Sequence, residues 1–209
     1  MDQEPRIFVV DDDPSVLRSV ERLLRTNGYH VEAFASTEAF LQRELEHGPA
    51  CLILDLFMPG VNGLDFQDRL RHDLPTLPIV FLSGQADVPS TARAMKHGAV
   101  DFLVKPVDEP QLLDAVSRAC ARALEWHAKQ IADEDTAVRL ARLTPREYEV
   151  CELVSRGMLN KQIASELGAS EKTIKVHRGR VMRKLQVGSV ADLVHLLSRR
   201  GRSHNHTSN

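Results

Sequence analysis

Residues 51–60, CLILDLFMPG, carry four apolar side chains into Asp55 and then into a turn forced by Pro59 and Gly60. Three more short runs end in the same manner: IFVV (7–10) in Asp11 and Asp12, IVFL (79–82) in Ser83, and DFLV (101–104) in Lys105. Runs of this length, separated by amphipathic segments long enough for helices, predict parallel strands in an α/β sheet covered on both faces. Right-handed crossovers then bring every strand's carboxyl end to one edge, where such sheets bind ligands. The expectation is a single site built from Asp11, Asp12, Asp55, Ser83 and Lys105.

The residue types suggest its chemistry. Three carboxylates within a few ångströms raise one another's pKa unless a cation sits among them. Mg²⁺ suits such a cluster, because it takes oxygen ligands, keeps several waters and accepts phosphate oxygens. One carboxylate can then attack a phosphoryl donor to give an aspartyl phosphate. Asp55, at the end of the central run, is the expected nucleophile. Ser83 offers a hydroxyl and Lys105 an ammonium to the phosphoryl oxygens. Read alone, DDD (11–13) could be no more than a helix start, since Asp is common there. Its register with Asp55, Ser83 and Lys105 argues for a site.

VVDDDP (9–14), LDLFMPGVNG (54–63), FLSGQAD (81–87) and DFLVKP (101–106) resemble, in order, the receiver domain of two-component response regulators, over roughly the first 125 residues. The resemblance implies a flavodoxin-like, doubly wound five-stranded sheet. It implies that Asp55 is both phosphorylation site and metal ligand, with Asp11, Asp12 and the backbone carbonyl of Phe57 as the other protein ligands of Mg²⁺. Ser83 and Phe102 match a switch pair in which the hydroxyl moves toward the phosphoryl group and the ring turns inward. Lys105 matches a phosphate-contacting lysine, followed by a cis bond to Pro106. The implied phosphoryl source is a sensor histidine kinase.

Composition is consistent with this and less specific. A chain of 209 residues with 43% hydrophobic content can bury one medium domain and a small second one. No stretch reaches the roughly 18 apolar residues of a membrane span. The acidic, proline-bearing start lacks a signal-peptide pattern, so the expected location is cytoplasmic. Cys51, Cys120 and Cys151 are odd in number, distant in sequence and set in apolar contexts, which predicts buried reduced thiols. The net charge of −2 hides a division: residues 1–130 hold 13 Lys+Arg against 20 Asp+Glu, and residues 143–203 hold 12 against 6. A basic small domain tethered to an acidic one points to a polyanionic partner, nucleic acid foremost.

Apolar periodicity places helices near 14–27, 36–46, 62–72, 87–97 and from 108 onward, with strands between them. Leu113, Val116, Cys120, Ala123, His127 and Ile131 recur near heptad spacing, so the last helix is expected to continue as a linker to about residue 135. IADEDTAV (131–138) breaks the apolar pattern, and the domain boundary is expected in or just after it. The divisions expected are a receiver over 1–125, linker helix and linker over 126–142, a helix-turn-helix domain over 143–203 and a disordered tail over 204–209. His204 and His206 belong to that tail, which reads as disorder rather than a metal site.

The second domain opens at LTPREYEV, with Thr144 as N-cap, Pro145 as first helical residue and Glu147 as capping-box partner. Gly157 ends that helix; a second (160–167) stops at Gly168; Ser170 caps a third (171–186); a fourth starts near Ser189. This is a helix-turn-helix flanked on both sides, an all-α four-helix unit. The third helix turns Ile174, Val181 and Leu185 inward and carries Lys172, Lys175, Arg178, Arg180, Arg183 and Lys184 against one acid, Glu171. Such a helix fits the major groove of double-stranded DNA. GMLNKQIASELGASEKTIKVHRGRVMRKL (157–185) resembles the helix-turn-helix of LuxR-type regulators, the output domain of the FixJ class, over about residues 143–200. That resemblance makes Lys172, Lys175, Val176 and Arg180 candidates for base or groove contacts, and Asn160, Lys161, Thr173 and His177 for backbone contacts. Some relatives carry a basic, base-contacting residue where Gly179 stands here. Val190, Leu193, Val194 and Leu197 line one face of the fourth helix and could pair with a second copy.

The expected protein is a phosphorylation-gated transcription factor in which modification of Asp55 aligns two basic helices in a homodimer or releases a docked DNA-binding domain. Two alternatives stand beside it. A Mg²⁺-dependent phosphohydrolase also forms an aspartyl phosphate, but Phe57 stands two residues beyond Asp55, where a second acid would be needed. The other is a DNA-binding protein that ignores phosphorylation.

Overall fold

The computed structural model describes residues 4–43, 48–84 and 87–203. In chain order its strands are β1 (Arg6–Val10), β2 (His30–Phe34), β3 (Ala50–Asp55), β4 (Phe57–Met58), β5 (Val61–Asn62), β6 (Ile79–Ser83) and β7 (Asp101–Val104). Five form one parallel sheet in the order β2-β1-β3-β6-β7, so the doubly wound five-stranded sheet is present. The other two pair antiparallel as a small hairpin just after Asp55, turning at Gly60 with φ of 78°.

The pleat divides the strands' side chains between two cores. Ile7, Val9, Cys51, Ile53, Val80, Leu82 and Leu103 meet α1 (Pro14–Thr26) and the first turns of a long helix after β7. Phe8, Val10, Leu52, Leu54, Ile79 and Phe81 form the other core with α2 (Thr37–Gln42), α3 (Gly63–Asp73) and α4 (Val88–Lys96). Of the helix expected over 36–46, residues 44–46 lie outside the described residues. Cys51 and Cys120, 69 residues apart in sequence, meet in the first core with their sulfurs 3.9 Å apart; all three cysteines are free and buried.

The long helix, α5 (Glu109–Ala141), departs from expectation at its end. Residues 131–138 do not break it. IADEDTAV loses the apolar stripe but contains no Gly or Pro, and local pairs sustain the helix there: Arg139 with Asp135 at 2.7 Å, Gln130 with Glu134 at 3.1 Å, and the Thr136 hydroxyl donating to Ala132. The chain divides into two compact units after Ala128, so α5 contributes to both.

The second unit holds α6 (Pro145–Ser155), α7 (Asn160–Glu166), α8 (Glu171–Leu185) and α9 (Val190–Ser203). Thr144 and Glu147 form the expected capping box, and Ser170 caps α8 through the Thr173 N–H. Ile174, Val181 and Leu185 are buried as expected, packed with Leu140, Val150, Val154, Ile163 and Leu193. Leu193 of the α9 stripe is buried, and Val190 and Leu197 are half-buried against that core, leaving Val194 exposed; most of the stripe serves this unit's own packing. His204 and His206 lie outside the described residues.

Candidate phosphoryl and nucleic-acid sites

The parallel register sets the first site. Val10 lies beside Leu54, Asp55 beside Leu82, and Ser83 beside Val104, so the residues that end these strands share one edge. Asp11 and Asp55 are buried, at 1% and 4% exposure, and Asp12 is exposed. Each of the three offers an oxygen within 4.8 Å of the others. The Lys105 ammonium donates to Asp11 Oδ2 at 2.6 Å and pairs with Asp55 Oδ1 at 3.1 Å. Ser83, fully buried, accepts the Lys105 N–H on its backbone carbonyl at 2.7 Å. The Lys105–Pro106 bond is cis.

Burial pushes the Asp55 carboxyl up and the charge on Asp11 adds to this, while hydrogen bonds from Lys105 and from the Phe57 N–H pull it back; the net direction is upward. Burial alone would lower the Lys105 ammonium, but its hydrogen bonds to Asp11 and Asp55 outweigh that and raise it. The site thus holds charge that one ammonium only partly compensates. Two buried acids and an exposed third, all oxygen donors, fit a hard cation reached from solvent.

Phe102 is half-buried against the second core, its ring centroid 6.2 Å from that of Phe81. The Phe57 side chain is exposed. Asp13, third of the DDD run, fills the role of helix cap, accepting from the Ser15 N–H at 2.7 Å. The Asp13 N–H in turn donates to Asp11 Oδ1 at 3.0 Å and helps orient that carboxylate. One positioning residue escapes sequence reasoning: at Gly63 a Cβ would lie 2.6 Å from the Asp55 carbonyl oxygen. Its only sequence signal is a glycine after Asn62, which looks like any loop glycine.

The second site is the face of α8. Lys172, Thr173, Lys175, Val176, Arg180 and Arg183 are exposed, as is Lys161 on α7. Two of the six cations are engaged inside the unit instead. Arg178 is half-buried and donates to Asn160 Oδ1 at 3.1 Å, and Lys184 bonds the buried Glu147 and the Arg142 carbonyl. The bond from Arg178 occupies the Asn160 amide oxygen and leaves its amide N–H groups as donors. His177 is half-buried and its Nδ1 lacks a hydrogen-bond partner among the described residues, so Nε2 is the nitrogen it can present.

Two family models match this chain: the response regulator receiver domain over residues 7–117, and the luxR family of bacterial regulatory proteins over residues 141–197. The chain belongs to the response regulators and, through its second unit, to that luxR family; it is a two-component transcription regulator rather than an enzyme, which sets aside the phosphohydrolase alternative. Among relatives, Nodulation protein W of Bradyrhizobium diazoefficiens is 43% identical over 201 residues, covering 96% of this chain and 88% of that protein. The transcriptional regulatory protein FixJ of the same organism is 36% identical over 201 residues, covering 96% and 98%. Among solved structures, the response regulator StyR is 42% identical with a TM-score of 0.83, covering 94% of this chain and all of that one. Among the described residues no helix is long and apolar enough to cross a membrane.

Proposed function

We propose that Asp55 accepts a phosphoryl group from a sensor histidine kinase and that its modification controls how α8 engages DNA. The observation that carries this reading is the Lys105 ammonium bridging Asp11 and Asp55, with Asp12 alongside. An Asp55 carboxylate oxygen attacks phosphorus, the bond from phosphorus to the kinase imidazole breaks, and the nitrogen keeps the electron pair and takes up a proton. Asp11, Asp12, Asp55 and the backbone carbonyl of Phe57 would hold Mg²⁺, which when bound supplies positive charge against the crowded carboxylates and phosphoryl oxygens. Lys105 exchanges one carboxylate partner for a phosphoryl oxygen, and the Ser83 hydroxyl donates to another. Phe102, already half-buried, moves further in as Ser83 shifts, changing the surface formed by β7 and its neighbours. That change favours a homodimer that sets two copies of α8 on half-sites about one helical turn apart.

The test is direct. Treated with acetyl phosphate, the full-length protein should gain one phosphoryl mass only with Mg²⁺ present, the Asp55→Ala variant should gain none, and affinity for promoter DNA at fixed salt should rise only in the protein that was labelled. Labelling that persists in Asp55→Ala would refute the assignment of the phosphoacceptor. DNA affinity indifferent to labelling would favour the phosphorylation-independent reading instead.

A further inference from the structure

Near the edge of the sheet opposite Asp55, two thiols from distant parts of the chain meet. Cys51 is the second residue of β3, in register with Ile7, and Cys120 lies on α5; their sulfurs are 3.9 Å apart, close to van der Waals contact. Both are free, with Cys51 fully buried and Cys120 at 7% exposure. The two are not equivalent. A hydrogen bond from the Cys51 S–H lowers the Cys120 thiol, whereas that bond and burial raise Cys51. Cys120 is therefore the better nucleophile of the pair. Burial raises the Tyr29 hydroxyl, and charge on Cys120 and Cys51 adds to this, which puts the phenol beside both sulfurs. Tyr29 also lines a cavity of about 580 Å³ at the amino ends of the strands, together with Arg6, Arg25, His30 and Pro49. Arg25 and His30 are exposed, so the cavity communicates with solvent.

We propose that Cys51 and Cys120 are a redox-active dithiol, oxidised by hydrogen peroxide to a disulfide that ties the strand ending in Asp55 to α5. The Cys120 thiolate attacks one peroxide oxygen, the O–O bond breaks, and the hydroxide released takes up the proton that Cys120 lost. The Cys51 sulfur then attacks the Cys120 sulfenic acid; the S–O bond breaks and the oxygen leaves with the Cys51 proton as a second water. Two thiols are oxidised to one disulfide and one peroxide is reduced to two waters. The sulfurs close to about 2 Å in that product. The cavity beside Tyr29 gives a small polar oxidant its approach, and a second sulfur already at 3.9 Å captures the sulfenic acid before further oxidation. Cys151, on α6, is the internal control: burial pushes its thiol up to about 11, which leaves little thiolate to react.

The experiment treats the reduced full-length protein with hydrogen peroxide, quenches it with a thiol-alkylating reagent under denaturing conditions and weighs the intact chain and its peptides. The wild type should lose two of its three thiols, gain a peptide in which Cys51 and Cys120 are joined within one chain, and recover all three thiols with dithiothreitol. Three surviving thiols, a bond that includes Cys151, or a bond between two chains would each overturn the proposal, and this arm needs no variant to fold. Cys51→Ser keeps a hydrogen-bond donor beside Cys120 but has no sulfur to close the bond, so Cys120 should stop at a sulfenic acid that dimedone traps. Cys120→Ser should leave Cys51 unmodified. Dimedone on Cys51 in that variant, with none on Cys120 in the other, would overturn the assigned order of attack. The outcome does not depend on whether Asp55 is phosphorylated, so failure here leaves the phosphoacceptor reading in place, and failure of acetyl phosphate labelling leaves the dithiol.

Discussion

At the cluster of Asp11, Asp12, Asp55 and Lys105, single atoms decide what the surrounding sheet can do. Lys105 is one-fifth exposed and holds two buried carboxylates that would otherwise face each other. Lys105→Met should therefore lower the stability of the first unit by about 2–4 kcal/mol, below the full cost of breaking a wholly buried pair because water screens part of the charge. Millimolar Mg²⁺ should restore part of that loss, since a cation that binds only the folded state stabilises it; urea melts with and without MgCl₂ check both statements. Gly63 acts through backbone. Gly63→Ala would put a methyl 2.6 Å from the Asp55 carbonyl oxygen and 3.0 Å from the Leu56 Cα, neither of which is a flexible side-chain end. The variant should cost about 1–3 kcal/mol and slow labelling by acetyl phosphate while leaving every acid in place. A labelling rate equal to wild type would show that the carboxylate tolerates the displacement.

Among the elements, α6 has an ionised group built into its N-terminal cap. The Lys184 ammonium beside Glu147, with the Thr144 N–H, holds that carboxyl at about 2 against an ordinary 4.5. A depressed acid contributes stability that is complete above its ordinary pKa and is lost as pH falls through the folded value. Glu147→Gln should accordingly be less stable than wild type by about 1–3 kcal/mol at neutral pH, and the gap should close between pH 4.5 and about 2. Denaturant melts of both proteins across that window measure it, and a gap that stays constant would remove the ion pair as its source. The capping box itself was readable from Thr144, Pro145 and Glu147, because those signals are local. The partner Lys184 was not, since it lies 37 residues away and its side chain is brought there by the packing of α8 on α6. The end of α5 is hidden from local pattern for a related reason: Asp133, Glu134 and Asp135 interrupt the apolar stripe, yet acids flanked by Gln130 and Arg139 form helix readily. In the first unit, Asp11, Asp55, Ser83 and Lys105 were legible because parallel strands must converge at one edge. The approach of Gly63 to Asp55 and the meeting of Cys51 with Cys120 depend on the order of strands and the seating of helices, which no local pattern encodes.

For the whole molecule, the division of charge predicts how binding responds to salt. Residues 143–203 carry 12 Lys+Arg against 6 Asp+Glu, but charges bound internally contribute little to counterion release from a duplex. Lys161→Ala should weaken binding to unrelated sequences alike and reduce the slope of log affinity against log salt by about one, as expected for a phosphate contact. Lys184→Ala should leave that slope unchanged and instead lower the melting midpoint of the second unit, because its ammonium is held by Glu147 and the Arg142 carbonyl. Titrations at several salt concentrations separate the two, and a slope change in Lys184→Ala would place it on the DNA. The internal tethering of Arg178 and Lys184 also bears on protein engineering. If α8 is the DNA-contacting helix, a library meant to retarget promoter choice can randomise the exposed positions 172, 175, 176, 179, 180 and 183 without touching the unit's internal bonds, whereas diversity spent on 178 or 184 would give up those bonds and part of the second unit's stability.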